Sequence, residues 1–433
     1  MSHSPNPNQP STFYGLNISP NILKRLEELN FKVPTPIQQK AIPAGVAGED
    51  IIGIAQTGTG KTLAFAIPVM QRISATKGRG LIVLPTRELA IQVEEVFNKL
   101  GGPMGLKTAV LIGGASMDRQ KQQLRNNPHV IVVTPGRLID HLEQRSVNLS
   151  DVKILVLDEA DRMLDMGFEP QIKKIMVTVP RERQTMLFSA TMPERISLIA
   201  RNYMKQPVRV EVAPSGTAAE RVEQEVFFVR KDDKTKLLHQ ILTEYHGTVL
   251  VFSRTKHGAT KINRALKHLG YSAAEIHSDR SLSQRREALD GFKSGRYRIL
   301  IATDIAARGI DVTGIELVIN YDLPDAPEDY VHRIGRTARA GSKGKAISFA
   351  MPDQKRDVKI IENLVRTRLA VKQLPELPNL PTPAPIVLVP RVYNHQKLMP
   401  SKFQRAHESG SQKRKRRSTR RFKVLEKIIV LPK

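Results

Sequence analysis

The chain of 433 residues contains no cysteine and no tryptophan, and aromatic residues make up only 5% of it. Without cysteine, neither a disulfide framework nor a zinc site built from thiolates is possible. With so few aromatic side chains, stacking on rings cannot dominate the binding of nucleic-acid bases. No apolar run approaches the ~18 residues of a membrane span, and residues 1–11 lack the basic and apolar stretches of a signal peptide. We therefore expect a cytoplasmic protein.

Acidic residues are scarce relative to basic ones. The chain has 42 Asp and Glu but 68 Lys and Arg, which gives a net charge of +26. Such an excess indicates a polyanionic partner, and it favours nucleic acid over the alternative of an anionic membrane surface. Residues 391–433 hold 14 of the basic residues but only Glu408 and Glu426 as acids. The tail is therefore a basic appendage, and the rest of the chain is itself basic.

The sequence AQTGTGKT at residues 55–62 lies between a buried apolar run at residues 51–54 and a helical pattern over residues 63–73. A strand, a glycine loop and a helix bind phosphate, because the backbone N–H groups turn toward phosphate oxygens and the helix start adds partial positive charge. Lys61 can reach the β- and γ-phosphates, and the Thr62 hydroxyl suits Mg²⁺. Ala55 replaces the usual first glycine, and a plain glycine turn is the alternative. The context predicts nucleotide binding.

Short apolar runs recur along the chain, and each is followed by a helical or loop segment. This alternation predicts parallel sheets covered by helices. The predicted strands lie at residues 51–54, 81–84, 130–133, 154–157, 185–188, 249–252, 274–277, 299–302, 317–319 and 346–350. Ser19 and Pro20 predict the N-cap and first residue of a helix that reaches Leu29.

The length predicts two or three structural units at ~150 residues per domain. A stretch rich in Pro, Gly and Ala divides the two series of strands and reads as a linker. We expect a disordered N-terminus (1–12), a first α/β domain (13–212), a linker (213–220), a second α/β domain (221–371), and a Pro-rich spacer with a disordered basic tail (372–433).

Carboxylates follow the predicted strand at residues 154–157, in the sequence DEAD at residues 158–161. The carboxyl edge of a parallel sheet is where α/β proteins bind ligands. Asp158 is suited to hold Mg²⁺ together with Thr62, and Glu159 to orient or deprotonate an attacking water. An ordinary acidic loop is the alternative. An upstream phosphate loop in the same sheet favours catalytic carboxylates.

In this order, AQTGTGKT, DEAD and SAT (189–191) resemble the motifs of the DEAD-box ATP-dependent RNA helicases. The similarity extends to PTRELA (85–90), GG (113–114), TPGR (134–137), ATDIAARG (302–309) and HRIGRT (332–337). It covers roughly residues 13–370, and within the family the chain is most similar to bacterial members of the RhlE type. The resemblance implies two tandem RecA-like domains, with ATP and Mg²⁺ on the first domain and RNA across both.

The resemblance also implies roles at the nucleotide. Phe31 would stack on adenine, Gln38 would hydrogen-bond the edge of the ring, and Asp311 would contact the ribose. The phosphates and Mg²⁺ would lie among Gln56, Thr57, Gly58, Thr59, Gly60, Lys61 and Thr62, with Asp158 as the second metal ligand. Taken without the resemblance, Phe31 is more typical of a packing residue.

The resemblance further implies that catalysis would depend on Lys61, Asp158 and Glu159, with Arg336 and Arg339 as arginine fingers that would stabilise charge developing at the γ-phosphate. Coupling of hydrolysis to domain closure would involve Asp161, Ser189, Thr191 and His332. The residues expected to contact RNA are Thr86, Arg87, Gly114, Thr134, Gly136, Arg137, Arg254, Arg280, Thr303 and Arg308. Such side chains suit a sugar–phosphate backbone. Without the resemblance, Arg336 and Arg339 would be interpreted as surface cations, and residues 189–191 as an ordinary turn.

Three places depart from the usual pattern of the family. Ala338 stands where glycine is usual between two arginines, and its methyl group would restrict the backbone if φ is positive. Ser278 and Leu282 replace the usual Gly and Gln of another motif. Asn30 replaces a common Gly before Phe31, but asparagine tolerates the left-handed conformation. We expect these departures to affect turnover and RNA coupling more than ATP binding.

The predicted function is an ATP-dependent RNA helicase that hydrolyses ATP to bind, bend and locally unwind RNA, or to remodel ribonucleoprotein. RNA is the expected partner, with the ribosome or the RNA degradation machinery as further candidates and no membrane partner. Two alternatives stay open. The first is an ATP-gated RNA clamp or annealing chaperone, and the second is a DNA translocase, which shares the phosphate loop and the arginines of the second domain.

Overall fold

The computed structural model describes residues 12–56, 58–212, 222–307, 312, 314–338 and 344–378. Within them the chain forms two sheets of seven strands each, and the strands pair in parallel. Each sheet has an apolar core on both of its faces. The prediction of parallel sheets covered by helices is confirmed.

The first lobe, which comprises the described residues up to 212, has the strand order β3-β4-β2-β5-β6-β1-β7. Its elements are α1 (Pro20–Glu28), α2 (Pro36–Ala47), β1 (Ile51–Ile54), α3 (Lys61–Thr76), β2 (Arg79–Val83), α4 (Arg87–Gly101), β3 (Thr108–Leu111), α5 (Met117–Arg125), β4 (Val130–Val133), α6 (Pro135–Glu143), β5 (Val152–Leu157), α7 (Ala160–Asp165), α8 (Glu169–Thr178), β6 (Gln184–Ser189), α9 (Glu194–Tyr203) and β7 (Val208–Glu211).

The second lobe, which comprises the described residues from 222 to 378, has the strand order β10-β11-β9-β12-β13-β8-β14. Its elements are β8 (Val222–Phe228), α10 (Lys234–Glu244), β9 (Val249–Phe252), α11 (Lys256–His268), β10 (Ala273–Ile276), α12 (Leu282–Lys293), β11 (Ile299–Ala302), α13 (Asp304–Ala307), β12 (Leu317–Asn320), α14 (Pro327–Ile334), β13 (Gly344–Ala350), α15 (Lys355–Val365) and β14 (Ala370–Lys372).

All of the predicted strands are present, with ends that differ by two residues at most. The first helix begins at Pro20 with Ser19 as its N-cap, as predicted, and ends at Glu28, one residue early. Four strands were missed, namely β3, β7, β8 and β14. Three of them lie at sheet edges, where a strand buries less apolar surface; β14, for example, is exposed throughout.

The domain boundaries stay predictions, because several of them fall on residues outside the described ranges. The predicted linker at residues 213–220 lies there, as does the tail from residue 379. Residues 373–378 belong to no helix or strand. None of the helices in the described part of the chain combines the length and the apolar character that a membrane span requires.

Parallel pairing places the carboxyl ends of all strands at one edge of each sheet. In the first lobe the phosphate loop follows β1, Thr86 and Arg87 follow β2, and the DEAD sequence follows β5. In the second lobe Arg254, Arg280 and Thr303 follow β9, β10 and β11. The predicted site residues just named therefore lie at the edge where α/β proteins bind ligands.

A substitution at Gly53 would test how tightly β1 packs on β6. A Cβ atom at Gly53 would lie 2.5 Å from two ring carbons of Phe188, and that ring also packs on Phe65 with centroids 5.6 Å apart. We expect Gly53→Ala to lower the free energy of unfolding by about 1–3 kcal/mol, because overpacking forces the ring to shift. Urea unfolding followed by circular dichroism measures this change.

The matched control is Gly102→Ala, since among the described residues no heavy atom lies within 4 Å of a Cβ added there. Equal unfolding midpoints for Gly53→Ala and Gly102→Ala would show that Phe188 moves aside freely.

Candidate functional site

The phosphate loop is closed around its own lysine. Gly58 and Gly60 have φ angles of 87° and 90°, which glycine adopts without steric cost, and Gly60 is the N-cap of α3. The Lys61 side chain is buried, and its Nζ donates a hydrogen bond to the Ala55 carbonyl at 2.9 Å. Thr59 Oγ1 donates to the Gln56 carbonyl at 2.7 Å. The shape of the loop is thus fixed by internal hydrogen bonds, with the lysine inside it.

Gln38 connects α2 to the phosphate loop. Its Oε1 accepts from the Thr35 N–H at 2.9 Å, and its Nε2 donates to the Gly60 carbonyl at 3.0 Å. Phe31, predicted to stack on adenine, is 41% exposed. Asn30 before it has φ of 60°, so this departure is accommodated as expected. The contacts of Phe31 and Gln38 with adenine stay predictions.

Three carboxylates at residues 158–161 are buried at the carboxyl end of β5. Burial raises the pKa of Asp158 to about 6, although the nearby Lys61 ammonium opposes the rise. Burial also opposes ionisation of Glu159, but the charges of Arg162, Lys61 and Arg336 together hold the pKa of Glu159 below its ordinary value. Adjacent carboxyl groups with different pKa values suit different roles. Of the two, Glu159 is the one held in its ionised form.

Glu159 has a left-handed backbone, with φ of 51° and ψ of 49°, and is the N-cap of α7. This conformation costs a residue with a side chain about 1–2 kcal/mol, and such strain is concentrated at functional sites. Its Oε2 lies 3.3 Å from Arg162 Nη1, in a pair whose side chains are 4% and 2% exposed. Arg162 was missed by sequence reasoning, although its position three residues after Glu159 at a helix start signals the pairing.

Asp161 connects the DEAD sequence to the SAT sequence. Its Oδ2 accepts from the N–H groups of Ala190 and Thr191 at 3.1 and 2.9 Å, and from Thr191 Oγ1 at 3.0 Å. The Asp161 N–H donates to Ser189 Oγ at 3.2 Å, and the Ser189 carbonyl accepts from the Ala55 N–H at 3.0 Å. The phosphate loop, the carboxylates and the SAT sequence therefore form one hydrogen-bonded assembly.

The second lobe brings Arg336 and His332 to these carboxylates. The charge of Arg336, which is buried, helps to lower the pKa of Glu159. For Asp161, burial opposes ionisation, but Lys61, His332 and Arg162 hold its pKa below the ordinary value. Arg162 of the first lobe lines one narrow cavity together with His332 and Arg336 of the second.

Arg333 holds α14 in place, a role that sequence reasoning missed. Its guanidinium makes two bonds to the Asp304 carboxylate, at 2.6 and 2.7 Å, and another to the Asp322 carbonyl at 2.6 Å. The side chain is 1% exposed. Since Arg336 lies two residues after the end of α14, this anchor helps to position Arg336.

Three of the predicted RNA residues of the first lobe, Arg87, Gly114 and Arg137, meet at the loop at residues 112–115. A Cβ atom at Gly114, whose φ is 77°, would lie 2.4 Å from Arg87 Nη1. Arg137 donates from Nε to the Ile112 carbonyl at 2.9 Å and from Nη2 to the Ala115 carbonyl at 2.7 Å. Thr86 caps α4, its side chain accepting from the Leu89 N–H at 3.3 Å. Arg137 of α6 therefore holds the loop at residues 112–115, and Thr86 holds the start of α4.

The remaining predicted RNA residues are less concentrated. Thr134 is buried as the N-cap of α6, and Gly136 follows within that helix. In the second lobe Arg254 Nε lies 3.2 Å from Asp325, Arg280 pairs with Glu275, and Thr303 is half-buried after β11. The predicted residues Thr57, Arg308, Asp311 and Arg339 lie outside the described residues. Their roles stay predictions.

A second contact joins the lobes away from the carboxylates. Arg285 Nη2 of α12 lies 2.7 Å from Glu88 Oε2 of α4, with side chains 9% and 6% exposed, in an ion pair without aligned hydrogen-bond geometry. Leu282, at the start of α12, packs against an apolar core of the first lobe. The departure at Leu282 thus adds an apolar contact between the lobes.

The donor set fits Mg²⁺ bound mainly through nucleotide. Within the described ranges, no group of three or more His, Asp or Glu side chains could hold a metal ion. Mg²⁺ is typically bound by one or two carboxylates plus substrate phosphates and water. Asp158, one of the three buried carboxylates, together with the half-buried Thr62 in the first turn of α3 meets that requirement.

Comparison with known proteins identifies the family. A model described as DEAD/DEAH box helicase matches residues 35–199, and one described as helicase conserved C-terminal domain matches residues 233–341. The ATP-dependent rRNA helicase RRP3 of Yarrowia lipolytica is 46% identical over 345 residues, 79% of this chain and 72% of that protein. The ATP-dependent RNA helicase DbpA of Bacillus subtilis is 43% identical over 358 residues, 82% of this chain and 75% of that protein.

A solved structure supports the fold. Saccharomyces cerevisiae Dbp5 bound to RNA and ADP BeF3 superposes with a TM-score of 0.75 and 30% sequence identity, covering 83% of this chain and 95% of that one. The prediction of two tandem RecA-like domains is thereby confirmed.

Ala338 allows a test of backbone strain beside Arg336. Its φ is 54°, the positive value that the sequence departure made a concern. We expect Ala338→Gly to raise the free energy of unfolding by about 1 kcal/mol, because glycine adopts a positive φ without strain. The greater conformational entropy of glycine in the unfolded chain offsets part of this gain. Urea unfolding measures the change.

The control is Ala265→Gly in the interior of α11, where the same substitution should lower the free energy of unfolding by about 1 kcal/mol. If both variants were destabilised equally, the strain at Ala338 would be negligible.

Proposed function

Because the chain belongs to the DEAD-box ATP-dependent RNA helicases, we propose that its two lobes close on ATP and Mg²⁺ and hold RNA across both lobes in a bent, single-stranded form. Closure separates short duplex regions, and hydrolysis releases the strand. The observation that carries this proposal is the convergence of cations from both lobes, Lys61, Arg162 and Arg336, on the buried Glu159 carboxylate.

Each residue then has a defined task. Lys61 exchanges the Ala55 carbonyl for phosphate oxygens, and the glycine loop presents its N–H groups to them. Asp158 and Thr62 would hold Mg²⁺, which would supply positive charge to the phosphate oxygens. Glu159, kept ionised, orients the attacking water and accepts its proton. Arg336, together with Arg339, stabilises charge that develops at the γ-phosphate.

Coupling to RNA passes through Asp161. Because its carboxylate holds the SAT loop and responds to the charge of His332, a change at the γ-phosphate alters contacts in both lobes. The RNA backbone lies on the loop at residues 112–115 in the first lobe and on the loops after β9, β10 and β11 in the second. Contacts to sugar and phosphate make this binding independent of sequence.

We further propose a cytoplasmic location, membership of the RhlE type, and the ribosome or the RNA degradation machinery as partners. The name of the Yarrowia relative, an rRNA helicase, makes ribosomal RNA one candidate substrate.

The central experiment measures the ATPase rate without nucleic acid, with RNA and with DNA of the same sequence. RNA alone is expected to stimulate the rate, and stimulation by DNA would favour a DNA translocase. A strand-separation assay follows. Failure to unwind together with efficient annealing would favour an ATP-gated clamp or annealing chaperone.

Glu159→Gln tests the base. The amide keeps the size of the side chain but removes the carboxylate, so we expect ATP hydrolysis to fall by roughly 10² or more, with ATP and RNA binding retained. Single-turnover hydrolysis and nucleotide titration measure both effects, and RNA release should be slow.

The control for this experiment is Glu182→Gln, because the Glu182 side chain lies just before β6 and is 86% exposed. Weak ATP binding in Glu159→Gln alone would mean that the pair with Arg162 is structural rather than catalytic.

Removal of residues 391–433 tests the tail, which carries 14 basic and two acidic residues. We expect weaker RNA binding and a flatter salt dependence, because each phosphate neutralised on a single strand adds ~0.7 to the slope of log affinity against log salt. ATP hydrolysis at saturating RNA should persist. RNA titrations at several salt concentrations measure the slope.

Removal of the polar residues 1–11, which contain no Lys, Arg, Asp or Glu, is the control. An unchanged slope after loss of the tail would show that the tail is a solvated appendage without a role in binding.

A further inference from the structure

A buried hydrogen-bond network lies beneath the loop at residues 112–115. His141 of α6 is 0% exposed, and Gln120 of α5 is 3% exposed. His141 Nε2 lies 3.1 Å from Gln120 Oε1, and Gln120 Nε2 donates to the Ile112 carbonyl at 3.0 Å. On the other side of the ring, His141 Nδ1 lies 2.7 Å from Ser146 Oγ. The network thus extends from the end of α6 to the candidate RNA loop.

The direction of these bonds follows from chemistry. The Ile112 carbonyl only accepts, so the Gln120 amide must turn its NH₂ group toward it and its oxygen toward His141. His141 Nε2 therefore carries a proton and donates. Ser146 Oγ lies 2.7 Å from His141 Nδ1 and 3.1 Å from the His141 carbonyl. In the neutral ring Nδ1 has no proton, so the single hydrogen of the Ser146 hydroxyl is donated to Nδ1, the nearer acceptor. Burial, with the nearby charges of Arg137 and Lys121, lowers the pKa of His141, which agrees with a neutral ring.

The network ends at one of two carbonyls that flank the glycines of the loop. The Ile112 carbonyl accepts a second bond from Arg137 Nε at 2.9 Å, and the Ala115 carbonyl accepts from Arg137 Nη2 at 2.7 Å. Both carbonyls are thus directed toward α5 and α6, and between them Gly114 has φ of 77° and is exposed. The shape that the loop offers to a phosphate backbone depends on these inward bonds.

We propose that His141 is a positioning residue for RNA, which acts through Gln120 on the Ile112 carbonyl and so determines the geometry of the Gly113–Gly114 loop. The inference rests on the proposed function, because it takes this loop to be an RNA contact. His141 makes no contribution to ATP binding or to the chemical step. Loss of its Nε2–H donor weakens RNA binding alone.

The test compares His141→Phe, which fills the space of the ring without a donor, with His141→Gln, whose amide can donate to Gln120. We expect His141→Phe to raise the half-saturating RNA concentration in the ATPase assay about tenfold, as the loss of one buried hydrogen bond does. The rate at saturating RNA and the ATP affinity without RNA should stay unchanged. His141→Gln should restore the half-saturating concentration to within about twofold of the starting protein.

Gln120→Met breaks the same link from the other side and keeps the test valid if His141→Phe does not fold. In the double variant His141→Phe with Gln120→Met, the half-saturating RNA concentration should rise about tenfold and not a hundredfold, since both changes interrupt one network. His239→Phe is the matched control, because His239 is also hydrogen-bonded, to the Tyr271 hydroxyl at 2.8 Å, but lies in the second lobe.

The outcomes separate the two proposals. An ATPase that RNA does not stimulate in the unaltered protein refutes the proposed function itself. If RNA stimulates the ATPase and the half-saturating RNA concentration is unchanged in both His141→Phe and Gln120→Met, only the role of His141 is overturned. The role of His141 is also overturned if His141→Phe and His141→Gln weaken RNA binding equally and in proportion to the fall in their melting temperatures. Altered packing, and not the missing donor, would then be responsible.

Discussion

The burial of three carboxylates at one end of the first sheet is the constraint on which the rest of the structure depends. Removing a carboxylate from water costs several kcal/mol unless opposite charges lie close, and these side chains are only 3% to 4% exposed. The compensating charges come from separate elements, namely Lys61 of the phosphate loop, Arg162 of α7, and Arg336 and His332 of the second lobe. The phosphate loop and both lobes must therefore be assembled together.

This balance also separates the tasks of neighbouring carboxylates. Asp158 has a pKa of about 6, so it needs a further cation to stay fully ionised, whereas Glu159 is already kept ionised by three cations. In the proposed mechanism, a metal ion beside Asp158 would keep the Asp158 carboxylate ionised, and Glu159 would orient the attacking water. Because Arg336 belongs to the second lobe, relative movement of the lobes changes the environment of Glu159 directly.

Much of the fold was predictable because local patterns specify it. Buried parallel strands require continuous apolar runs, and such runs identified β1, β4 and β9 with their ends correct. Edge strands such as β7 and β14 bury too little apolar surface to show this pattern. Among the site residues, the lysine and the glycines of the phosphate loop were evident from spacing, because phosphate binding needs consecutive backbone N–H groups in one turn.

By itself, the sequence determined the order of ten of the strands, the positions of the phosphate loop and the carboxylates, and the family. Only the tertiary structure decided that Glu159 adopts a left-handed backbone and pairs with Arg162, that Ala338 has a positive φ, and that Leu282 packs against the other lobe. It also decided that Arg137 holds the carbonyls at residues 112 and 115. The physical reason is that burial, charge balance and hydrogen-bond partners depend on groups far apart in the chain, and periodicity and spacing report only on neighbours.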